Sequence, residues 1–127
     1  MPHRSRLAGF MIDFQTGEPE AAAAFWGGAL GFPVGERGTG EDAHYIQLKS
    51  NRDDLCVDVQ RVDHPPRVHL DIETDDLDAE VRRLEALGAK RVAFVKRWWV
   101  MEAPTGHRFC VVRMHHPERG VPPTTWP

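Results

Sequence analysis

Apolar and polar residues alternate along two stretches that lie in corresponding places in the two halves of this chain. Residues 7–15 carry phenylalanine or isoleucine at positions 10, 12 and 14, with mostly polar side chains between them. Residues 67–74 repeat the arrangement, with valine, leucine and isoleucine at alternate positions. A period of two predicts a strand at each stretch, with one apolar face for the core and one mainly polar face.

Each of these strands is followed by a predicted helix. The first helix begins near Thr16 or Gly17, has Pro19 in its first turn and ends at Gly31. Its expected buried stripe includes Phe25, Ala29 and Leu30. The second helix covers residues 77–87, begins after two aspartates and carries leucine or valine at the spacing of one helix face.

Shorter alternating or apolar runs complete the predicted secondary structure. The remaining predicted strands are residues 33–37, 44–49, 55–62, 90–96, 98–102 and 108–113. Asn51–Asp54 is predicted to be a turn, and Asp63–Pro66 is predicted to link the two halves. Each half therefore has the order β-α-β-β-β, which gives the fold class α+β.

The two halves also resemble each other in sequence. Met11–Thr16 is echoed by His69–Thr74, and both predicted helices close on the tripeptide Ala-Leu-Gly. An internal repeat of this kind predicts two similar units that pack together. We therefore expect a single domain made of modules 7–62 and 66–113, followed by a surface tail at 114–127.

Length and charge exclude several classes of protein. The 127 residues carry a net charge of −3 without a long basic run, which gives no reason to expect nucleic-acid binding. No apolar stretch approaches the roughly 18 residues of a membrane span. The first residues lack the apolar segment of a signal peptide, so the expected location is the cytoplasm. Two cysteines in an intracellular protein are expected to be thiols.

Three segments carry a family pattern: Phe25–Phe32, Arg67–Leu77 and Pro104–Val111. In these segments the chain resembles the vicinal oxygen chelate superfamily, in its glyoxalase-like or bleomycin-resistance-like branch. The last segment is similar to the family's aspartate-proline-x-glycine-asparagine turn and the strand after it. The resemblance covers residues 7–113 and implies two tandem β-α-β-β-β modules. Their curved eight-stranded mixed sheet would form a cup, commonly in a homodimer.

The resemblance also bears on metal binding. Metal-dependent members of the superfamily place ligands on the first and last strands of each module, which correspond here to Met11, Cys56, His69 and Cys110. The usual ligands are histidine or glutamine and glutamate, so only His69 matches. Hard divalent ions prefer oxygen and nitrogen, so the expected cofactor is none or unknown, and a divalent or soft metal ion stays open. A soft metal site at His69, Cys110 and Cys56 is the alternative to two small buried cysteines without metal.

The polar faces of the two opening strands supply the candidate catalytic residues, namely Asp13, His69 and Asp71. Their structural alternative is hydrogen bonding to backbone, arginine or neighbouring groups. The candidate ligand-binding residues of the cup are Met11, Trp98, Trp99, Met101 and Cys110. Four further histidines, near prolines or a terminus, are expected in solvent without a function: His3, His64, His115 and His116.

Three functions stay open at this point, because one fold hosts many activities. The first is a protein that binds a small organic molecule in the cup without the standard metal. The second is a metal-dependent lyase or isomerase with His69 as a ligand. The third is antibiotic sequestration by a dimer, without turnover. The missing carboxylate ligands favour the first and third functions over the second.

Overall fold

A computed structural model describes residues 2–50 and 55–127. The predicted turn at Asn51–Asp54 lies outside the described residues. The described part contains nine strands and two α-helices, in the predicted β-α-β-β-β order within each half. The strands are β1 (His3–Phe14), β2 (Val34–Arg37), β3 (Tyr45–Leu48), β4 (Cys56–Arg61), β5 (Arg67–Thr74), β6 (Lys90–Val95), β7 (Trp98–Glu102), β8 (Arg108–Arg113) and β9 (Thr124–Trp126). The helices are α1 (Pro19–Leu30) and α2 (Leu77–Ala86), and a short 3₁₀ helix spans Gly40–Asp42.

The chain divides into two compact units. We call Phe10–Val68 the α1 unit, and Met1–Gly9 with His69–Pro127 the α2 unit. Each unit contains one helix packed on strands that supply its core. The fold class predicted from the sequence is confirmed.

In the α1 unit the hydrogen-bonded strand order is β2-β3-β4-β1, with β3 antiparallel to both β2 and β4. The buried core consists of Ala23 of α1 with Ile46, Leu48, Val57 and Val59. The alternating apolar residues of β1, Phe10, Ile12 and Phe14, pack against this core as predicted. Strand β1 therefore turns its apolar face toward α1.

The buried side of α1 differs from the prediction. The helix buries Pro19, Ala23 and Gly27, whereas Phe25 and Leu30 are exposed. The reason is close packing: a Cβ built on Gly27 would lie 2.9 Å from the carbonyl oxygen of Phe32. Only small side chains fit at this contact, so the larger apolar side chains point to solvent.

In the α2 unit the strand order is β1-β5-β8-β7-β6, with β9 paired to β1. Strands β5 and β8 are parallel, whereas β7 is antiparallel to both β8 and β6. The core joins Val81 and Leu84 of α2 to Met101, Phe109 and Val111. The Asp76 carboxylate caps α2 by accepting a hydrogen bond from the backbone N–H of Ala79 at 3.1 Å.

The C-terminal segment is held by a buried arginine. The Arg6 guanidinium donates to backbone carbonyl oxygens of His116, Pro117, Arg119 and Val121. Its Nη2 lies 3.0 Å from Oε2 of Glu73. Strand β9, which the sequence analysis did not predict, follows this segment and pairs with residues 3–5 of β1.

Candidate functional site

Strands β5 and β8 divide their side chains between two faces. Ile72 packs with Phe109 and Val111 against the α2 core. The alternate residues point to the opposite face. Asp71 and Cys110 are direct partners in the parallel register of the two strands, so their side chains are neighbours on that face. His69 lies two residues before Asp71 and shares the same face.

Three potential metal-binding side chains meet there: His69, Asp71 and Cys110. One ligand atom from each lies within 4.8 Å of the others. His69 Nε2 is 3.4 Å from Asp71 Oδ1, and the two side chains are 11% and 21% exposed. Cys110 is half-buried and is a thiol. Oδ1 of Asp71 is buried and accepts no hydrogen bond from the described residues.

The donor set fits a borderline-soft metal ion. Nitrogen and oxygen ligands at about 2.0–2.1 Å from a tetrahedral ion lie about 3.4 Å apart. That value matches the distance between His69 Nε2 and Asp71 Oδ1, and it exceeds that of a good hydrogen bond. Imidazole, carboxylate and thiolate are the three ligand types of Zn²⁺. Three protein ligands would leave a fourth position for water or substrate.

A comparison with protein families shows which proteins share this architecture. The glyoxalase-like domain family matches residues 9–112, which is most of the chain. The chain belongs to the glyoxalase-like domain family. It is therefore a member of the vicinal oxygen chelate superfamily, as its sequence predicted. A comparison with curated proteins finds no match for this glyoxalase-like chain.

Solved structures share the fold at low sequence identity. A methylmalonyl-CoA epimerase in complex with methylmalonyl-CoA and NH4⁺ matches with a TM-score of 0.62 and 14% identity, over 87% of this chain and 94% of its own. The methylmalonyl-CoA epimerase of Mycobacterium tuberculosis matches with a TM-score of 0.61 and 16% identity, over 86% of this chain and 87% of its own. The Mn(II)-bound glyoxalase of Novosphingobium aromaticivorans matches with a TM-score of 0.59 and 20% identity, over 89% of this chain and 40% of its own.

The adjacent tryptophans of this glyoxalase-like chain separate onto two faces, as expected for neighbours on a strand. Val100 is the register partner of Cys110, so Trp98, two residues away, shares the face of the three-residue cluster. Trp99 packs against the α2 core, and Met101 is fully buried in it. Of the aromatic and methionine candidates of β7, the structure therefore brings Trp98 to the face of His69 and places Trp99 and Met101 on the other.

The remaining candidates belong to the α1 unit. Met11 is half-buried on β1, and Cys56 is exposed on β4, so the expectation that both cysteines are buried is wrong for Cys56. Asp13 is 1% exposed, and its Oδ2 lies 3.9 Å from Nε2 of His64 and 4.0 Å from Nε of Arg67. His64 is therefore half-buried beside a buried carboxylate, whereas the sequence analysis expected it in solvent.

Two features escaped the sequence analysis. Asp71 was considered for acid–base chemistry but not as a metal ligand, although its spacing from His69 places both side chains on one face of a strand. His3 was expected in solvent, yet it is buried in the α2 unit with its Nε2 2.8 Å from Oε1 of Glu80. No local pattern signals this contact, because 77 residues separate the two side chains.

No helix among the described residues is long and apolar enough to cross a membrane.

Proposed function

We propose that this glyoxalase-like protein binds a small oxygenated organic molecule at the face of β5 and β8, next to a soft divalent ion held by His69, Asp71 and Cys110. The observation that carries the proposal is the meeting of these three donor atoms, with a buried oxygen of Asp71 that accepts no hydrogen bond from the part of the chain that the structure describes. The set replaces the family's standard ligands, of which only His69 is present.

A metal at this position would act as a Lewis acid that polarises a carbonyl or hydroxyl oxygen of the substrate. The residues of the chain would supply the rest of the site. Trp98 shares the face and offers an apolar surface for the organic part of the ligand. The matching structures carry a methylmalonyl thioester in one case and Mn(II) in another. A lyase or isomerase reaction on a small carbonyl compound is the activity class we propose.

The test is a metal titration of protein purified without a metal-affinity tag. We expect the wild type to bind one equivalent of Zn²⁺, measured by competition with a chromophoric chelator. Co²⁺ bound in its place should show thiolate-to-metal charge transfer in the near ultraviolet. Cys110→Ser should weaken Zn²⁺ binding by at least about 100-fold, since even substitutions of outer groups cost about 10–100-fold.

The matched control is Cys56→Ser, which removes the exposed thiol of the α1 unit. It should leave the Zn²⁺ affinity and the charge-transfer band unchanged. Equal losses in Cys56→Ser and Cys110→Ser, or an absence of stoichiometric binding by the wild type, would contradict the metal proposal.

A metal-free binding protein is the second candidate, including an antibiotic-sequestering one. It is favoured by Met11 and Cys56, which stand at positions where metal-dependent relatives carry stronger ligands for hard ions. Ligand binding that persists after exhaustive chelation and in His69→Ala would support this candidate over a metalloenzyme. A cytoplasmic homodimer remains our proposal for the state of the protein, and light scattering tests its dimeric form.

A further inference from the structure

The α2 unit carries a groove on the side of its helix, away from the residues of the metal proposal. The groove has a volume of about 460 Å³, within the range typical of small-molecule sites. It is lined by His3 on β1, by Ala79, Arg82 and Arg83 on α2, and by Trp126 at the end of β9 with Pro127 after it. The lining is therefore basic on one side and apolar on the other.

The apolar wall is held in place before any ligand arrives. The Trp126 indole Nε1–H donates to Oγ of Ser5 at 2.8 Å. The Arg83 guanidinium carbon lies 3.9 Å from the centroid of the Trp126 ring, within the range of a cation–π contact. Two contacts from different segments thus fix the orientation of Trp126, and a preformed wall reduces the entropy lost on binding.

The two arginines of the groove differ in their partners. Arg83 forms a two-pronged pair with Glu80, in which Nε and Nη2 each lie 2.8 Å from a carboxylate oxygen. Its charge is therefore matched by a neighbouring carboxylate. Arg82 is exposed and has no ion pair or hydrogen bond with the described residues. The charge of Arg82 is available to a ligand.

His3 supplies a second, independent indication of a ligand. It is 6% exposed, and its Nε2 lies 2.8 Å from Oε1 of Glu80. Burial opposes ionisation of Glu80, but hydrogen bonds from Arg83, His3 and Ser5 outweigh it and hold the pKa of the carboxyl below its usual value. Because Glu80 is a carboxylate at neutral pH, Nε2 of His3 donates to it.

The other ring nitrogen of His3, Nδ1, is buried and has no hydrogen-bond partner among the described residues. In the neutral ring whose Nε2–H binds Glu80, Nδ1 is an acceptor. A hydroxyl group of a bound ligand would donate to it. Buried polar groups in proteins are almost always paired, which makes this nitrogen a marker of an absent partner.

We propose that this groove binds a small organic anion, a phosphate or carboxylate with an apolar or aromatic substituent. The anionic group accepts hydrogen bonds from Arg82, and a hydroxyl of the ligand, such as the P–OH of a phosphate monoester, donates to Nδ1 of His3. The substituent lies against Trp126 and Pro127. The site is separate from the proposed metal cluster and does not depend on it.

The proposal is tested by NMR titration of the full chain with phenyl phosphate and with inorganic phosphate, following the His3 ring nitrogens and the Trp126 indole N–H. We expect saturable shifts at both side chains and tighter binding of phenyl phosphate. Arg82→Ala should weaken binding by about tenfold or more, as expected for a lost hydrogen bond to a charged group.

Arg61→Ala is the matched control, because it removes the same charge from an exposed position on β4 that does not line the groove. It should leave the affinity unchanged. Non-saturating shifts, equal affinity for the two phosphates, or equal losses in Arg61→Ala and Arg82→Ala would overturn the proposal. Since Arg82 and Arg61 are both exposed, both variants are expected to fold.

Discussion

Glu80 is a charged residue whose replacement should cost this protein considerable stability. Its side chain is fully buried, yet it accepts hydrogen bonds from two guanidinium nitrogens of Arg83 and lies 2.8 Å from Nε2 of His3. Glu80→Gln keeps the shape of the side chain and removes the charge. A neutral amide cannot accept from both Arg83 nitrogens, so one donor of the cluster loses its partner.

The size of the loss follows from the exposure of the partners. Removing one member of a buried ion pair costs about 3–5 kcal/mol when the other member stays buried. The Arg83 side chain is 24% exposed and can recover part of its hydration, so we expect about 2–3 kcal/mol. With an unfolding entropy of about 2.1 cal/mol/K per residue over 127 residues, this loss of stability corresponds to a fall in melting temperature of roughly 8–11 °C.

The stability lost in Glu80→Gln should depend on pH. The pKa of Glu80 is lowered in the folded protein relative to the ordinary value of 4.5, because hydrogen bonds to its carboxylate outweigh burial. The stability contributed by this carboxylate is therefore fully present above pH 4.5 and is lost as the pH falls through the folded-state pKa. The difference in melting temperature between wild type and Glu80→Gln should accordingly become smaller at acid pH.

The assay is thermal unfolding followed by circular dichroism, at neutral pH and at a series of acid pH values. The control is Glu20→Gln, which makes the same chemical change in a carboxylate whose two oxygens both accept from Nη1 of Arg37, at 3.0 and 3.1 Å. That pair is exposed, so its loss should shift the melting temperature only marginally. If both substitutions lower the melting temperature equally, or if the Glu80→Gln gap is constant with pH, the reasoning is refuted.

Three further changes test other parts of the structure. Gly27→Ala should destabilise the protein in urea titrations, because its Cβ would lie 2.9 Å from a backbone carbonyl oxygen, whereas Gly28→Ala meets nothing within 4 Å and should stabilise it by about 0.5–1 kcal/mol. Asp76→Ala should cost about 1 kcal/mol in the same assay, since it removes the N-cap of α2. Added Zn²⁺ should protect Cys110 from alkylation, measured by mass spectrometry, and leave the exposed Cys56 as reactive as before.

The sequence by itself determined both helices, eight of the nine described strands and the fold class. Period-two alternation located β1 and β5, and the apolar spacing with an aspartate cap located α2. The internal repeat then indicated two similar modules, and the glyoxalase-like resemblance was confirmed. These features are local, because the backbone conformation of a strand or helix sets the spacing of its apolar residues directly.

The sequence patterns did not predict how the helices and strands pack against one another. Hydrophobicity favoured Phe25 and Leu30 as the buried side of α1, yet the close approach of the helix selects Ala23 and Gly27 instead. Steric fit between two surfaces depends on both, and a pattern along one element describes only one of them.

The sites required the tertiary structure most of all. Alternation placed His69 and Asp71 on one face, but only the parallel register of β5 with β8 brings Cys110 beside them. His3 and Glu80 lie 77 positions apart in sequence and share no pattern. A buried charge is stable only where a distant segment supplies its partner, so which polar residues are buried, and with what, is decided when the elements assemble.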